Sequence, residues 1–164
     1  EGAHELVRTV DEFIDGDRRG LLLDVYAGVG LFAATVGRGF EKVVAGESDP
    51  RAVRLLAQNL EEAGIDGEAR AERADYTLAA VPRVDPETVL LDPPRVGLAK
   101  EVRRSLIVRA PRRILSVSCD PATGARDVAE LVQAGWHLRR LRVLDLFPTT
   151  GHLETVALLI RGEG

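Results

Sequence analysis

Apolar positions along the chain fall into two rhythms that alternate from end to end. In 5–14, Leu6, Val7, Val10, Phe13 and Ile14 recur near helical spacing and predict an amphipathic helix. The run Leu21-Leu22-Leu23-Asp24-Val25 is nearly continuous, as in a strand covered on both faces. A glycine-rich turn follows, then a short helix over about 31–36 and a second strand over 42–47. Ser48 or Asp49 caps the next helix, Pro50 sits in its first turn, and Gly64 stops it.

Residues 68–72 make a weak third strand, and Thr88-Val89-Leu90-Leu91 a fourth that ends at Asp92-Pro93-Pro94. A helix over 102–108 leads to a fifth strand at 113–117, and another helix, 123–133, ends at Gly135. The last segments, 138–146 and 155–160, read as two strands joined by a turn at 147–154. Strand and helix alternate, so the fold class is α/β, a mostly parallel sheet with helices on both faces. The final pair has no helix between its strands and predicts a C-terminal antiparallel hairpin at one edge. Ligands in such folds gather at the carboxyl ends of strands. The Gly-rich loop, Glu47, Asp92-Pro93-Pro94 and Cys119 fall there, with the last turn nearby.

Composition narrows the class. The 164 residues suit one domain, and 45% hydrophobic residues supply a core. No apolar run approaches the ~18–20 residues of a membrane span, and the opening Glu1-Gly2-Ala3-His4-Glu5 is not a signal peptide. One cysteine makes no internal disulfide and holds no metal cluster alone, which fits a reducing, cytoplasmic setting. The net charge of −4 carries no global nucleic-acid signature. Arginine clusters at Arg103-Arg104, Arg112-Arg113 and Arg139-Arg140-Leu141-Arg142 are ordinarily solvated faces, with phosphate contact the alternative. Methionine is absent, so the chain is expected to be a processed or excised part of a longer protein.

Candidate chemistry follows the strand ends. Gly28-Val29-Gly30-Leu31-Phe32-Ala33 fits a G-x-G-x-x-G/A turn, and Glu47 lies nineteen positions after Gly28. A carboxylate there accepts ribose hydroxyl protons, so the pair predicts a nucleoside site without separating NAD from S-adenosylmethionine. Asp75 is a candidate for an adenine amino group or, equally, a helix cap. Asp92-Pro93-Pro94-Arg95 gives a stiff loop suited to walling a pocket or simply to turning the chain. Cys119 is a thiol on a loop before a helix start at Pro121, a setting that lowers a thiol pKa; its bland alternative is a small buried hydrophobe. Glu154 is a base candidate or an ordinary turn carboxylate, and His152 lacks partners at metal-ligand spacing.

Taken in order, Asp24-Val25-Tyr26-Ala27-Gly28-Val29-Gly30, Asp92-Pro93-Pro94-Arg95-Val96-Gly97, Ser116-Val117-Ser118-Cys119-Asp120-Pro121-Ala122-Thr123 and Gly151-His152-Leu153-Glu154 resemble the RNA uracil-5-methyltransferase family. The resemblance covers nearly the whole chain. It implies a Rossmann-like class I methyltransferase domain that uses S-adenosyl-L-methionine on a uridine of tRNA or rRNA. By motif, Cys119 is the nucleophile and Glu154 the base. Tyr26, Gly28, Gly30, Leu31, Glu47, Asp75 and Asp92 fall on methyl-donor positions. Relatives often carry Asn after the nucleophile, where this chain has Asp120, and an added carboxylate there raises a thiol pKa. The family's RNA-binding portion is expected to lie outside residues 1–164, which would be the catalytic domain. A donor-binding module inactive on its own is the second reading, and an NAD-dependent oxidoreductase the third.

Overall fold

The computed structural model describes residues 2–147 and 152–162. Four strands form its centre: β1 (Leu21–Asp24), β2 (Lys42–Glu47), β4 (Glu87–Leu91) and β5 (Arg113–Ser118). Almost every residue in them is buried, because helices cover both faces. β3 (Gly67–Ala71) closes one edge, and its half-exposed side chains explain its weak sequence signal.

The helices divide between the faces. On one lie α1 (Gly2–Ile14), α2 (Ala33–Val36) and α3 (Pro50–Glu62), whose apolar stripes pack on Leu22, Val43, Leu90 and Leu115. On the other lie α4 (Ala74–Ala80), α5 (Lys100–Arg109) and α6 (Pro121–Gln133), packed on Leu23, Val44, Leu91 and Ile114. The periodicity of α1 buries Leu6, Val10, Phe13 and Ile14, each worth about 1.5–3 kcal/mol. Asp49 caps α3 by accepting the Arg51 amide, with Pro50 following it, as the spacing predicts.

The seven strands run in the order β3-β2-β1-β4-β5-β7-β6, where β6 is Trp136–Phe147 and β7 is His152–Arg161. The first five are parallel, and β7 runs antiparallel between β5 and β6. The expected C-terminal antiparallel pair is present, with β6 at the edge. Both strands are longer than their apolar runs. Within β6, Arg140 and Arg142 turn toward α1, where Glu12 receives Arg142 at 2.7 Å and the Glu12 carbonyl receives Arg140 at 3.0 Å. Arginines expected to form a solvated face therefore have partners on α1. Glu154, expected in a turn, is instead the third residue of β7. Residues 148–151 of the expected turn lie outside the described residues, as do the side chains of Phe147 and His152.

The chain order reverses between β1 and β4, since β2 lies beyond one and β5 beyond the other. Loops leaving β1 and β4 diverge there and open a crevice at the carboxyl ends of the strands.

Candidate active site

Tyr26, Glu47 and Asp75 come together in a cavity of about 310 Å³ in that crevice. Val25, Pro94, Val96, Gly97 and Leu98 supply apolar wall, and Ser48 and Arg73 stand at the polar end. The volume lies near the lower end for small-ligand sites. Glu47 is fixed by its neighbours. One oxygen accepts the Gly28 amide at 3.0 Å; the other accepts the Asp49 amide at 2.8 Å and the Ser48 hydroxyl at 3.1 Å. The nineteen-residue spacing between Gly28 and Glu47 thus becomes a direct contact that ties the β1 loop to the end of β2.

Gly30 serves the loop differently. Its φ of +94° favours glycine, and a Cβ there would stand 2.7 Å from Leu56 Cδ1 of α3, which would have to shift. Gly28, Gly30 and Leu31 shape or flank the loop and do not line the cavity; Leu31 is exposed. Asp75 does not cap α4: Arg73 holds that position, and Asp75 lies in the first turn with Arg73 at 3.0 Å. Burial, with help from Asp127 and Asp75, pushes the Tyr26 phenol up to about 12, which keeps it protonated and able to donate.

The second group of residues lies on the next strands. β5 and β7 pair with Ser118 opposite Thr155, and Thr155 Oγ1 donates to the Ser118 carbonyl at 3.3 Å. The ladder ends at this pair: Cys119 is the first residue beyond β5, and Glu154 is the β7 residue next to Thr155, paired on its other side with Leu144 of β6. Asp92 follows β4, which pairs with β5 through Leu91 and Ser116. Burial, and then the charge of Glu154, pushes the Asp92 carboxyl up to about 6. Asp92 and Cys119 thus follow the carboxyl ends of the neighbouring strands β4 and β5, and Glu154 lies on β7 beside β5; none of the three lines the cavity.

Cys119 is partly exposed and precedes Asp120, the N-cap of α6. The Asp120 carboxylate accepts the Thr123 amide at 2.7 Å, and this bond with that to the Thr123 hydroxyl holds it below the usual carboxylate range. Aspartate therefore performs the capping that asparagine performs equally well.

Asp24 was not singled out by spacing. It is wholly buried at the end of β1, and neither oxygen has a hydrogen-bond partner. Burial first, then the nearby Asp92 charge, pushes it up to about 7; the amides of Tyr26 and Ala33 oppose this without reaching hydrogen-bond geometry. The signal in the sequence was a carboxylate ending an apolar run.

The arginine clusters divide. Arg113 is buried and donates to Thr88 at 2.8 Å and to the Ile14 and Asp17 carbonyls. Arg103 pairs with Glu130 at 2.5 Å, and Arg140 and Arg142 hold α1. Among the described residues no group of three or more His, Cys, Asp or Glu is arranged for a metal ion, and no helix is long and apolar enough to cross a membrane.

A crevice at the strand-order reversal, lined by Tyr26, Glu47 and Asp75, on a mostly parallel sheet with a C-terminal antiparallel pair defines an α/β protein of the class I methyltransferase kind. The chain belongs to the tRNA (uracil-5-)-methyltransferase family, whose model matches residues 5–162. It is 37% identical over 163 residues to the 23S rRNA (uracil(1939)-C(5))-methyltransferase RlmD of Klebsiella pneumoniae, covering 96% of this chain and 37% of that protein. An uncharacterized RNA methyltransferase of Chlamydia trachomatis is 34% identical over 160 residues, covering 97% of this chain and 40% of that one. The crystal structure of Pyrococcus abyssi tRNA (uracil-54, C5)-methyltransferase with S-adenosyl-L-homocysteine superposes with a TM-score of 0.80 at 37% identity, covering 96% of this chain and 38% of that one. The chain thus spans about two fifths of the length of the curated relatives it matches.

Proposed function

We propose that this chain is the catalytic domain of an enzyme that methylates the C5 carbon of a uridine in tRNA or rRNA, in the cytoplasm. The observation that supports the reading is the pairing of β5 with β7, which brings Cys119, just past β5, and Glu154, near the start of β7, to the same end of the sheet as the Glu47 cavity. The cavity suits S-adenosyl-L-methionine: Glu47 faces a ribose, Asp75 and Tyr26 offer polar contacts, and Val96 and Leu98 offer apolar wall. That donor supplies an electrophilic methyl group on a sulfonium.

Uracil C5 is a poor nucleophile, and the cysteine corrects this. The Cys119 thiolate adds to C6, and the displaced electron pair moves through C5 toward O4, leaving C5 electron-rich. After methylation at C5, Glu154 takes the C5 proton. The electrons of that C–H bond form the C5=C6 double bond, and the C6–S bond breaks to return the thiolate. A paired or stacked uridine must be turned out to reach both groups. Holding thiol, base and donor on adjacent strands converts encounters into positioned contacts.

The test uses RNA substrate, the methyl donor and two variants. Cys119→Ala is expected to lose methyl transfer entirely, and full turnover in that variant overturns the assignment. Glu154→Gln is expected to add and methylate but to release slowly, so a denaturation-resistant RNA–protein adduct accumulates. Normal tritium release from uracil C5 in Glu154→Gln refutes its role as the base. Donor-product binding by the wild-type chain without turnover would instead identify a binding module that needs the rest of its protein.

A further inference from the structure

We propose that Arg126 and Asp127 on α6 are positioning residues that clamp the 94–99 wall of the donor cavity to the helix that follows Cys119. The inference rests on the reading of that cavity as the methyl-donor site.

The contacts converge on one short segment. Asp127 is 2% exposed, and its Oδ2 accepts the Leu98 amide at 2.7 Å. Its Oδ1 receives Arg126 at 2.8 Å through Nη2 and at 3.2 Å through Nε. Arg126 Nη2 also donates to the Val96 carbonyl at 3.0 Å. Arg103 of α5 donates to the Leu98 carbonyl and stands 3.7 Å from Asp127. Residues on both sides of Gly97 are therefore tied to α6.

Gly97 itself shows how close the approach is. Its φ is +82°, and a Cβ would fall 2.4 Å from both Arg126 Nη2 and Asp127 Oδ2 and 2.5 Å from Thr123. The loop backbone lies directly on the first turns of α6, with no room for a side chain. Val96, Gly97 and Leu98 then face the cavity with their other side. The Asp127 charge also reaches Tyr26, another cavity residue.

The functional consequence is geometric. Cys119 sits two residues before α6 begins and fixes where a uracil ring would bind. The 94–99 wall fixes where the donor would bind. Arg126 and Asp127 join the two, so they set the distance and angle between the attacking carbon and the methyl group. Methyl transfer needs that alignment to fractions of an ångström.

Two variants test it, Arg126→Ala, which is half-exposed and so leaves the core intact, and Asp127→Asn, which keeps an acceptor for the Leu98 amide but loses the charge. Hydrogen exchange at the amides of 96–99 and calorimetry with S-adenosylhomocysteine are measured for both and for the wild type. The expected result in each variant is roughly tenfold faster exchange confined to this segment and roughly fivefold weaker S-adenosylhomocysteine binding. The same variants are expected to show a lower kcat, with KM for RNA unchanged. Faster exchange with unchanged S-adenosylhomocysteine affinity overturns the inference alone, as does unchanged exchange. No S-adenosylhomocysteine binding by the wild type sinks the donor reading and the inference with it.

Discussion

Asp24 makes the domain's stability depend on pH in a direction opposite to most paired carboxylates. Its side chain is fully buried with no partner, and its folded pKa is about 7 against 3.8 as the reference value. The folded state therefore holds the proton more tightly than the unfolded state between these values. Stability contributed by the neutral carboxyl is complete below about pH 4 and is lost as pH rises to about 7. A shift of about three units corresponds to about 4 kcal/mol, at 1.36 kcal/mol per unit. Asp24→Asn mimics the neutral carboxyl at every pH. Urea unfolding of both proteins from pH 4 to 8 is the assay. The variant is expected to match the wild type near pH 4 and to gain over it by about 1.4 kcal/mol per pH unit until about pH 7. Asp92, raised to about 6 by burial and the Glu154 charge, adds a slope of the same sign in both proteins. The difference between the curves therefore isolates Asp24. Parallel curves across the whole range refute the reasoning and mean that Asp24 is solvated or paired in solution.

Two further predictions concern stability alone. Arg109 and Glu87 form a pair at 2.7 Å, each side chain 3% exposed, and Arg109 also donates to the Leu78, Val81 and Pro82 carbonyls; Arg109→Ala leaves Glu87 buried without its partner and is expected to cost about 3–5 kcal/mol in denaturant unfolding. Ala110 ends α5 in the left-handed region at φ 52°, ψ 53°, so Ala110→Gly relieves strain of about 1–2 kcal/mol against a chain-entropy cost of about 0.4–1 kcal/mol. A small net gain in melting temperature is expected, and a fall contradicts the strain argument.

Much of the fold was legible along the chain because it follows local patterns. Continuous apolar runs marked β1, β4 and β5, since strands covered on both faces have no polar side. Amphipathic spacing marked α1 and α3, and Asp49-Pro50 marked the start of α3. The seven-residue α4 buries only Ala74, Thr77 and Leu78 and is too short for periodicity to reveal. The strands expected at 138–146 and 155–160 fall short of β6 and β7 only at their ends, where the pairing of one strand with the other extends the ladder beyond the apolar runs; the partners of Arg140 and Arg142 on α1, more than a hundred residues away in the chain, were not legible.

For the candidate site, the sequence by itself determined the kinds of group present and the strand ends that carry them. Local chain chemistry suffices for that: glycine where the loop turns, a carboxylate after β2, a cysteine before a helix cap. Which of those groups meet was decided only by the tertiary structure. β7 enters the sheet between β5 and β6, and this insertion carries Glu154 to the end of the sheet where Cys119 follows β5. The charge on Asp24 depends on the two helical layers that exclude water from β1, and the hold on Gly97 depends on α6 reaching the β4 loop. Register, burial and loop contact are sums over residues distant in the chain, and no local pattern encodes them.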